Sequence, residues 1–213
     1  MLLLKDSWKK LHLQTSHLRR TSIISDLLAE KIAALPEVNG LCKGIDIGCG
    51  DMRISRMISD ILPLSNWECI DLHPGGNGAV WENYQQFDGK IIPFPAQAFD
   101  VAILADVLHH CDDAAHLLRE AKRVARYVVI KDHYEYGRYS RSMLRAMDIY
   151  GNWAYGVSIP DKYFDKASFA EMCKQLCLEI TDISIGVNLY KHLPVLRHLL
   201  RAEWQFVAVL KSI

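Results

Sequence analysis

Asp46, Gly48, Gly50 and Asp71 have the residue types and order needed to hold a nucleoside. The run Gly44-Ile45-Asp46-Ile47-Gly48-Cys49-Gly50-Asp51 reads as a buried strand, a glycine turn and the start of a helix near Asp51. Glycine tolerates turn dihedrals and has no side chain, so the backbone N–H groups of such a turn can come close to a ligand. Downstream, Trp67-Glu68-Cys69-Ile70-Asp71 is a short apolar strand ending in a carboxylate. An acid on the strand beside a glycine turn is placed to accept both hydroxyls of a ribose. A second set is imidazole: His109-His110, and His133 after Lys131-Asp132 at the end of another apolar run. An imidazole titrating near neutral pH suits proton abstraction from a hydroxyl or amine. A lone histidine is more often structural, whereas three on one rim put a functional role for at least one of them level with the structural reading. Arg138, Arg141 and Arg145 share one helical face, suited to a carboxylate or phosphate, although solvated arginines are the commoner case.

These residues need elements to position them, and the chain alternates helices with strands, the mark of a parallel sheet covered on both faces. Residues 6–20 are basic and amphipathic, and 21–34 form a stronger helix closed by Pro36. Strands are expected at 42–47, 66–71, 80–86, 99–105 and 126–130, with helices at 51–62, ended by Pro63, and 113–125. A helix over 165–177 leads into a strand over 178–187, and 203–210 closes the chain. Segment 133–164 interrupts the alternation with a helical stretch over 139–150, then Gly151-Asn152-Trp153-Ala154-Tyr155-Gly156 and Pro160. Placed after the fifth strand, it lies over the carboxyl ends of the strands, where open α/β sheets bind ligands. Its aromatic, glycine and polar residues suit a lid over a substrate, with Tyr134, Arg138, Arg141 and Asn152 as substrate contacts. A helix packed on the sheet without ligand contact is the plainer reading.

Asp46-Ile47-Gly48-Cys49-Gly50 resembles the first motif of class I S-adenosylmethionine (SAM) dependent methyltransferases, an acid followed by Gly-x-Gly. Phe87-Asp88-Gly89, Ile92-Pro93-Phe94-Pro95 and Ala98-Phe99-Asp100-Val101 are similar to the next blocks of that family, and Ala105-Asp106-Val107-Leu108-His109-His110 with the helix after Asp113 continues them. The likeness is collinear from about residue 40 to about 132 and is of the small-molecule, methyltransferase-11-like kind. It implies a Rossmann-like α/β fold with a seven-stranded, mostly parallel sheet, an antiparallel last strand and helices on both faces. It implies SAM as cofactor and S-adenosylhomocysteine as product. Asp46 would hold the methionyl amino end within the turn of Gly48, Cys49 and Gly50, and Asp71 the ribose. Leu72 would lie against the adenine, Asp88 would accept from its amino group beside Gly89, and Asp106 would face the amino end or cap a helix. His109 would face the substrate and His110 would brace the loop, leaving His109 and His133 as candidate bases. The insertion also resembles one carried by a bacterial group that shares Lys-Asp-His, Met-Asp and Gly-Asn, a likeness that supplies no substrate.

A nicotinamide dinucleotide enzyme is the alternative for the glycine turn. Its fingerprint needs a third glycine and a helix N-terminus free for pyrophosphate. Arg53 stands where that glycine would fall, and Asp51 puts negative charge where a pyrophosphate would rest. SAM has no phosphate and carries a sulfonium cation, so acids beside it are tolerable.

The 213 residues fit a single domain, 1–213, with N-terminal helices over 6–36 and the lid over 133–164. Lys+Arg and Asp+Glu are both 25, so no global field draws the chain to nucleic acid or an anionic membrane. Met1-Leu2-Leu3-Leu4 is too short for a signal peptide, and no run approaches a membrane span. The cysteines at 42, 49, 69, 111, 173 and 177 read as core thiols of a reducing cytoplasm. Cys173 and Cys177 lack the second pair that a metal site would need, so no metal is expected. The basic, apolar stretch 191–200 reads as a connector, with a weak lipid or partner surface as the other reading. The expectation is a cytoplasmic methyltransferase acting at oxygen or nitrogen of a small metabolite, in biosynthesis of the natural-product kind, with a homodimer left open. Protein or nucleic-acid methylation is disfavoured by the neutral charge and by Asp106-Val107-Leu108-His109, where such enzymes carry an Asn- or Asp-Pro-Pro-Tyr motif. A non-catalytic SAM-binding partner protein remains the other class.

Overall fold

The computed structural model describes residues 17–36, 42–62, 64–73, 83–152, 157–190 and 199–213. Among them, seven strands form one sheet in the order β3-β2-β1-β4-β5-β7-β6. In chain order the elements are α1 (Leu18–Ala33), β1 (Cys42–Ile47), α2 (Arg53–Ile61), β2 (Leu64–Asp71), β3 (Tyr84–Gln86) and β4 (Phe99–Ala105). They continue with α3 (Ala114–Val124), β5 (Ala125–His133), α4 (Arg138–Asn152), α5 (Lys166–Gln175), β6 (Leu178–Ile185) and β7 (Gln205–Ser212). Strands β1 to β5 pair in parallel, and β7 runs antiparallel between β5 and β6. This is the expected seven-stranded, doubly covered sheet.

Period-two alternation along nearly continuous apolar strands fills both faces. In β4, Val101 and Ile103 join α1 residues Ile24, Leu28 and Ile32 in one core. Ala102 and Leu104 point the other way, to Leu117 and Leu118 of α3 and Phe169 of α5. Gly44 of β1 is where the ring of Trp67 passes: a Cβ there would stand 1.8 Å from its Cζ3. Two helices start on side-chain caps. Asp113 accepts from the His116 N–H, and Asp165 forms a reciprocal capping box with Ser168.

Several boundaries differ from the sequence expectation for identifiable reasons. Strand β5 runs on to His133 because β7 pairs with it from Tyr127 to His133. Lys131, Asp132 and His133 therefore belong to the sheet rather than to a loop beyond it. Helix α5 ends at Gln175, and Cys177 takes a left-handed φ of 51° before β6. Most of the expected helix 6–20, part of the strand expected over 80–86, Pro63, Trp153 to Gly156 and most of the connector 191–200 lie outside the described residues. No described helix is long and apolar enough to cross a membrane.

Candidate active site

The turn after β1 faces its neighbours rather than open space. The N–H groups of Gly48 and Cys49 both donate to the Ile70 carbonyl, at 2.8 and 3.1 Å. The Gly50 N–H donates to Asp71 Oδ2 at 2.8 Å, and the His73 N–H to Asp71 Oδ1 at 2.9 Å. This corrects the expectation that these three N–H groups are presented to a ligand: they clamp the end of β2 and fix the Asp71 carboxylate. Each Asp71 oxygen keeps a second lone-pair direction. Gly48 and Gly50 have φ of 79° and 55°, the left-handed region that favours glycine. A Cβ at Gly48 would meet Val107 Cγ2 at 2.6 Å, whereas one at Gly50 would meet nothing within 4 Å. Beyond Asp71, Leu72 is 52% exposed and lies over Gly89, where a Cβ would stand 2.6 Å from its Cδ2. An anchored carboxylate, an open glycine edge and a solvent-facing leucine together fit the ribose and adenine of SAM. Asp88 is exposed and its Oδ1 accepts from the Lys90 and Ile91 N–H groups, so it shapes the turn beside that platform.

Asp46 is buried on β1 and accepts from the Ser55 hydroxyl. Burial, reinforced by Asp71 and Asp51, pushes its carboxyl up to about 7, against the lowering by Ser55. Cys49 is buried, and its free thiol is held well above the usual range by a hydrogen bond with the Cys69 thiol and by burial, so only its backbone could meet a cofactor.

A second polar cluster sits beside this turn, at the carboxyl ends of β4 and β5. Asp106, with a left-handed φ of 59°, accepts from Arg20 of α1 and from Lys131 of β5. His133 Nε2 lies 3.2 Å from the same carboxylate. His109, on a short 3-10 turn at Leu108–His110, donates from Nδ1 to Asp132 Oδ1 at 2.6 Å. Its Nε2 faces Asp148 Oδ2 of α4 at 3.6 Å, beyond hydrogen-bond reach. Asp148 accepts from the Tyr163 hydroxyl. His110 donates from Nδ1 to the Ser158 carbonyl at 2.7 Å, and the Asn152 amide lies 3.4 Å from its Nε2. The insertion thus supplies Asp148, Asn152, Ser158 and Tyr163 as one wall of the cluster.

The electrostatics divide the two inner histidines. Burial would lower His109, but Asp132 and Asp148 raise it to about 10. Burial and Lys131 together push His133 down to about 3, outweighing Asp106. Asp106 and Asp132 stay far below the usual carboxyl range despite burial, held by Lys131 and Arg20 in the first case and by His109 in the second.

The geometry sorts the expected residues. Gly48, Gly50, Asp71, Leu72 and Gly89 come together, and His109, His133 and Asn152 come together next to them. Asp106 is engaged by Arg20 and Lys131, one on each oxygen, with His133 beside it, which ties it to the second cluster. Tyr134 departs from its expected role: it is buried, stacked on Phe206 with ring centroids 4.0 Å apart. Arg141 is tied to Glu135, which also accepts from the Tyr163 N–H, so it braces the insertion rather than offering a free guanidinium. Arg138 is exposed on the first turn of α4. Arg20, Asp132, Asp148 and Tyr163 were not singled out from sequence. Lys131-Asp132-His133 and Met147-Asp148 carried a signal, but nothing local joins residues of α1, β5, α4 and the loop before α5.

Residues 45–127 match the model of a methyltransferase domain family. No protein of curated function matches the chain by sequence. A SAM-dependent methyltransferase from Aquifex aeolicus superposes with a TM-score of 0.63 at 14% identity, covering 98% of each chain. A chain of the complex between the Haloferax volcanii methyltransferase activator Trm112 and a methyltransferase gives 0.66 at 14% identity, over 87% of this chain and 89% of that one. The [4+2]-cyclase SpnF gives 0.60 at 13%, over 90% and 81%. At these identities the superpositions speak for the fold alone. Residues 45–127 are thus similar to a methyltransferase domain, and the fold around them is the one seen in the SAM-dependent methyltransferase from Aquifex aeolicus.

Proposed function

We propose that this protein transfers the methyl group of SAM to an oxygen or nitrogen of a small metabolite in the cytoplasm. The observation that carries the reading is the packing of Val107 on Gly48. It sets the loop from Asp106 to His110 against the turn that anchors Asp71, so a cofactor site and an imidazole–carboxylate cluster share one rim. When bound, SAM supplies an electrophilic methyl carbon, and the protein's part is chiefly alignment at near-attack distance. Asp71 holds the ribose, Leu72 and Gly89 flank the adenine with Asp88 at its edge, and Asp46 faces the cationic end. His109 and His133 form the pair that activates the acceptor. The insertion, through Asp148, Asn152 and Tyr163, keeps water from that pair. Arg138, on the outer face of α4, is assigned to an acidic group of the acceptor. The free thiols fit a reducing compartment.

Fold alone does not fix the activity, as the [4+2]-cyclase neighbour illustrates. Incubation of the protein and methyl-labelled SAM with a metabolite extract, read by mass spectrometry, tests the proposal. Label in one or a few small molecules supports it. Label only in protein or nucleic acid, or none in any product despite SAM binding, contradicts it.

A further inference from the structure

We propose that His109, His133 and Asp148 form a site for a divalent transition-metal ion of the zinc class, with Asp132 orienting His109. The ligand atoms of the three residues lie within 4.8 Å of one another. His109 Nε2 and Asp148 Oδ2 are already 3.6 Å apart, close to the ~3.4 Å between neighbouring ligands of a tetrahedral ion with bonds of about 2.1 Å. The remaining separations, all within 4.8 Å, need close by no more than about 1.4 Å to reach that spacing. Two imidazoles and a carboxylate suit zinc and its neighbours, and would leave an open position for a further ligand.

Two independent features point to an ion rather than to a network of ordinary hydrogen bonds, and a third is compatible with one. First, His109 Nε2, His133 Nδ1 and Asp132 Oδ2 are buried with no hydrogen-bond partner. Unpaired buried polar atoms are uncommon, and two of these three, His109 Nε2 and His133 Nδ1, belong to the ligand side chains. Second, the outer contacts are those of metal ligands. Asp132 receives His109 Nδ1–H, Asp106 stands 3.2 Å from His133 Nε2, and Tyr163 donates to Asp148. A carboxylate on the far nitrogen of a histidine fixes its ring and tautomer for coordination. Third, among the described residues Asp106, Asp132 and Asp148 face two permanent cations, Arg20 and Lys131, and the third positive charge that balances them is either a protonated His109 or an ion in its place. The ion would sit at the acceptor end of the proposed active site. There it would bind and orient an acceptor oxygen, so that the histidines serve as ligands. That chemical role rests on the methyl-transfer reading, whereas the binding does not.

Metal-stripped protein titrated with zinc against a chromophoric chelator tests the binding, with cobalt substitution as a spectroscopic probe. The expected result is one ion per chain, lost by at least ~100-fold in affinity in His133→Ala and in Asp148→Ala. Asp132→Asn should weaken it by about 10–100-fold, and Cys177→Ser should not change it. Absence of stoichiometric binding overturns the proposal and leaves water as the occupant. So does unchanged affinity in His133→Ala and Asp148→Ala. If those variants fail to fold, the wild-type cobalt spectrum decides: nitrogen and oxygen ligation supports the site, and thiolate charge-transfer bands overturn it. SAM binding by the metal-free protein is measured separately, so a failure there counts against methyl transfer and not against the ion.

Discussion

At Asp71, both carboxylate oxygens are held by backbone N–H groups, so the side chain is oriented before any ligand arrives. Asp71→Ala should remove up to two charge-assisted hydrogen bonds to ribose and lower SAM affinity by about ten-fold or more. Calorimetry showing wild-type affinity in this variant would move the ribose elsewhere. Asp46 behaves differently because burial raises its folded value to about 7. A raised carboxyl binds its proton more tightly in the native state. Its contribution to stability is therefore full below the unfolded value and declines as pH rises from about 4 through 7, by an amount on the order of a few kcal/mol. Urea midpoints of the SAM-free wild type should fall across that window, relative to an Asp46→Asn variant that shows no such component. Parallel profiles for the two proteins would contradict this account. Asp106 carries a different risk. Asp106→Ala would leave Lys131 buried without its carboxylate, a loss of about 3–5 kcal/mol, to be read by denaturant unfolding.

The elements were legible where one local pattern decided them. Strand β4 occupies 99–105 as its apolar run requires, and Asp71 ends β2 where the ribose acid was expected. Strand β5 was underestimated because its last residues, Lys131, Asp132 and His133, are polar. Only pairing with β7, far along the chain, and neutralisation of Lys131 by Asp106 and of Asp132 by His109 let them be buried in the sheet. The same non-locality hid Asp148 and Tyr163 as partners of His109, and misread Tyr134, whose ring is claimed by Phe206. At this scale the steric limit at Gly44 is the sharpest prediction. Gly44→Ala would force a methyl into the Trp67 ring and part β1 from β2, costing about 3 kcal/mol or more, seen as a large drop in the thermal midpoint. The insertion supports a second one. If α4 and the loop to Tyr163 close the acceptor site, their amides should gain hydrogen-exchange protection when cofactor and acceptor are both present, beyond that with cofactor alone. Equal protection in both states would leave the insertion as a fixed wall.

For the whole molecule, the sheet order places β1 between β2 and β4, with the helices divided between the two faces. A crevice at the carboxyl ends of β1 and β4 is where such folds take their ligands. The glycine turn lies on one side of it and the His109 cluster on the other, so the proposed cofactor would have one end near open solvent at Leu72 and the other near the buried imidazoles. Occupancy by SAM at about a hundred times its dissociation constant should stabilise the native state by roughly 2.7 kcal/mol. Calorimetric titration with SAM, S-adenosylhomocysteine and NAD tests the central claim most directly. The account predicts stoichiometric binding of the first two and none of the third. No heat with millimolar SAM, or binding of NAD in its place, would contradict it.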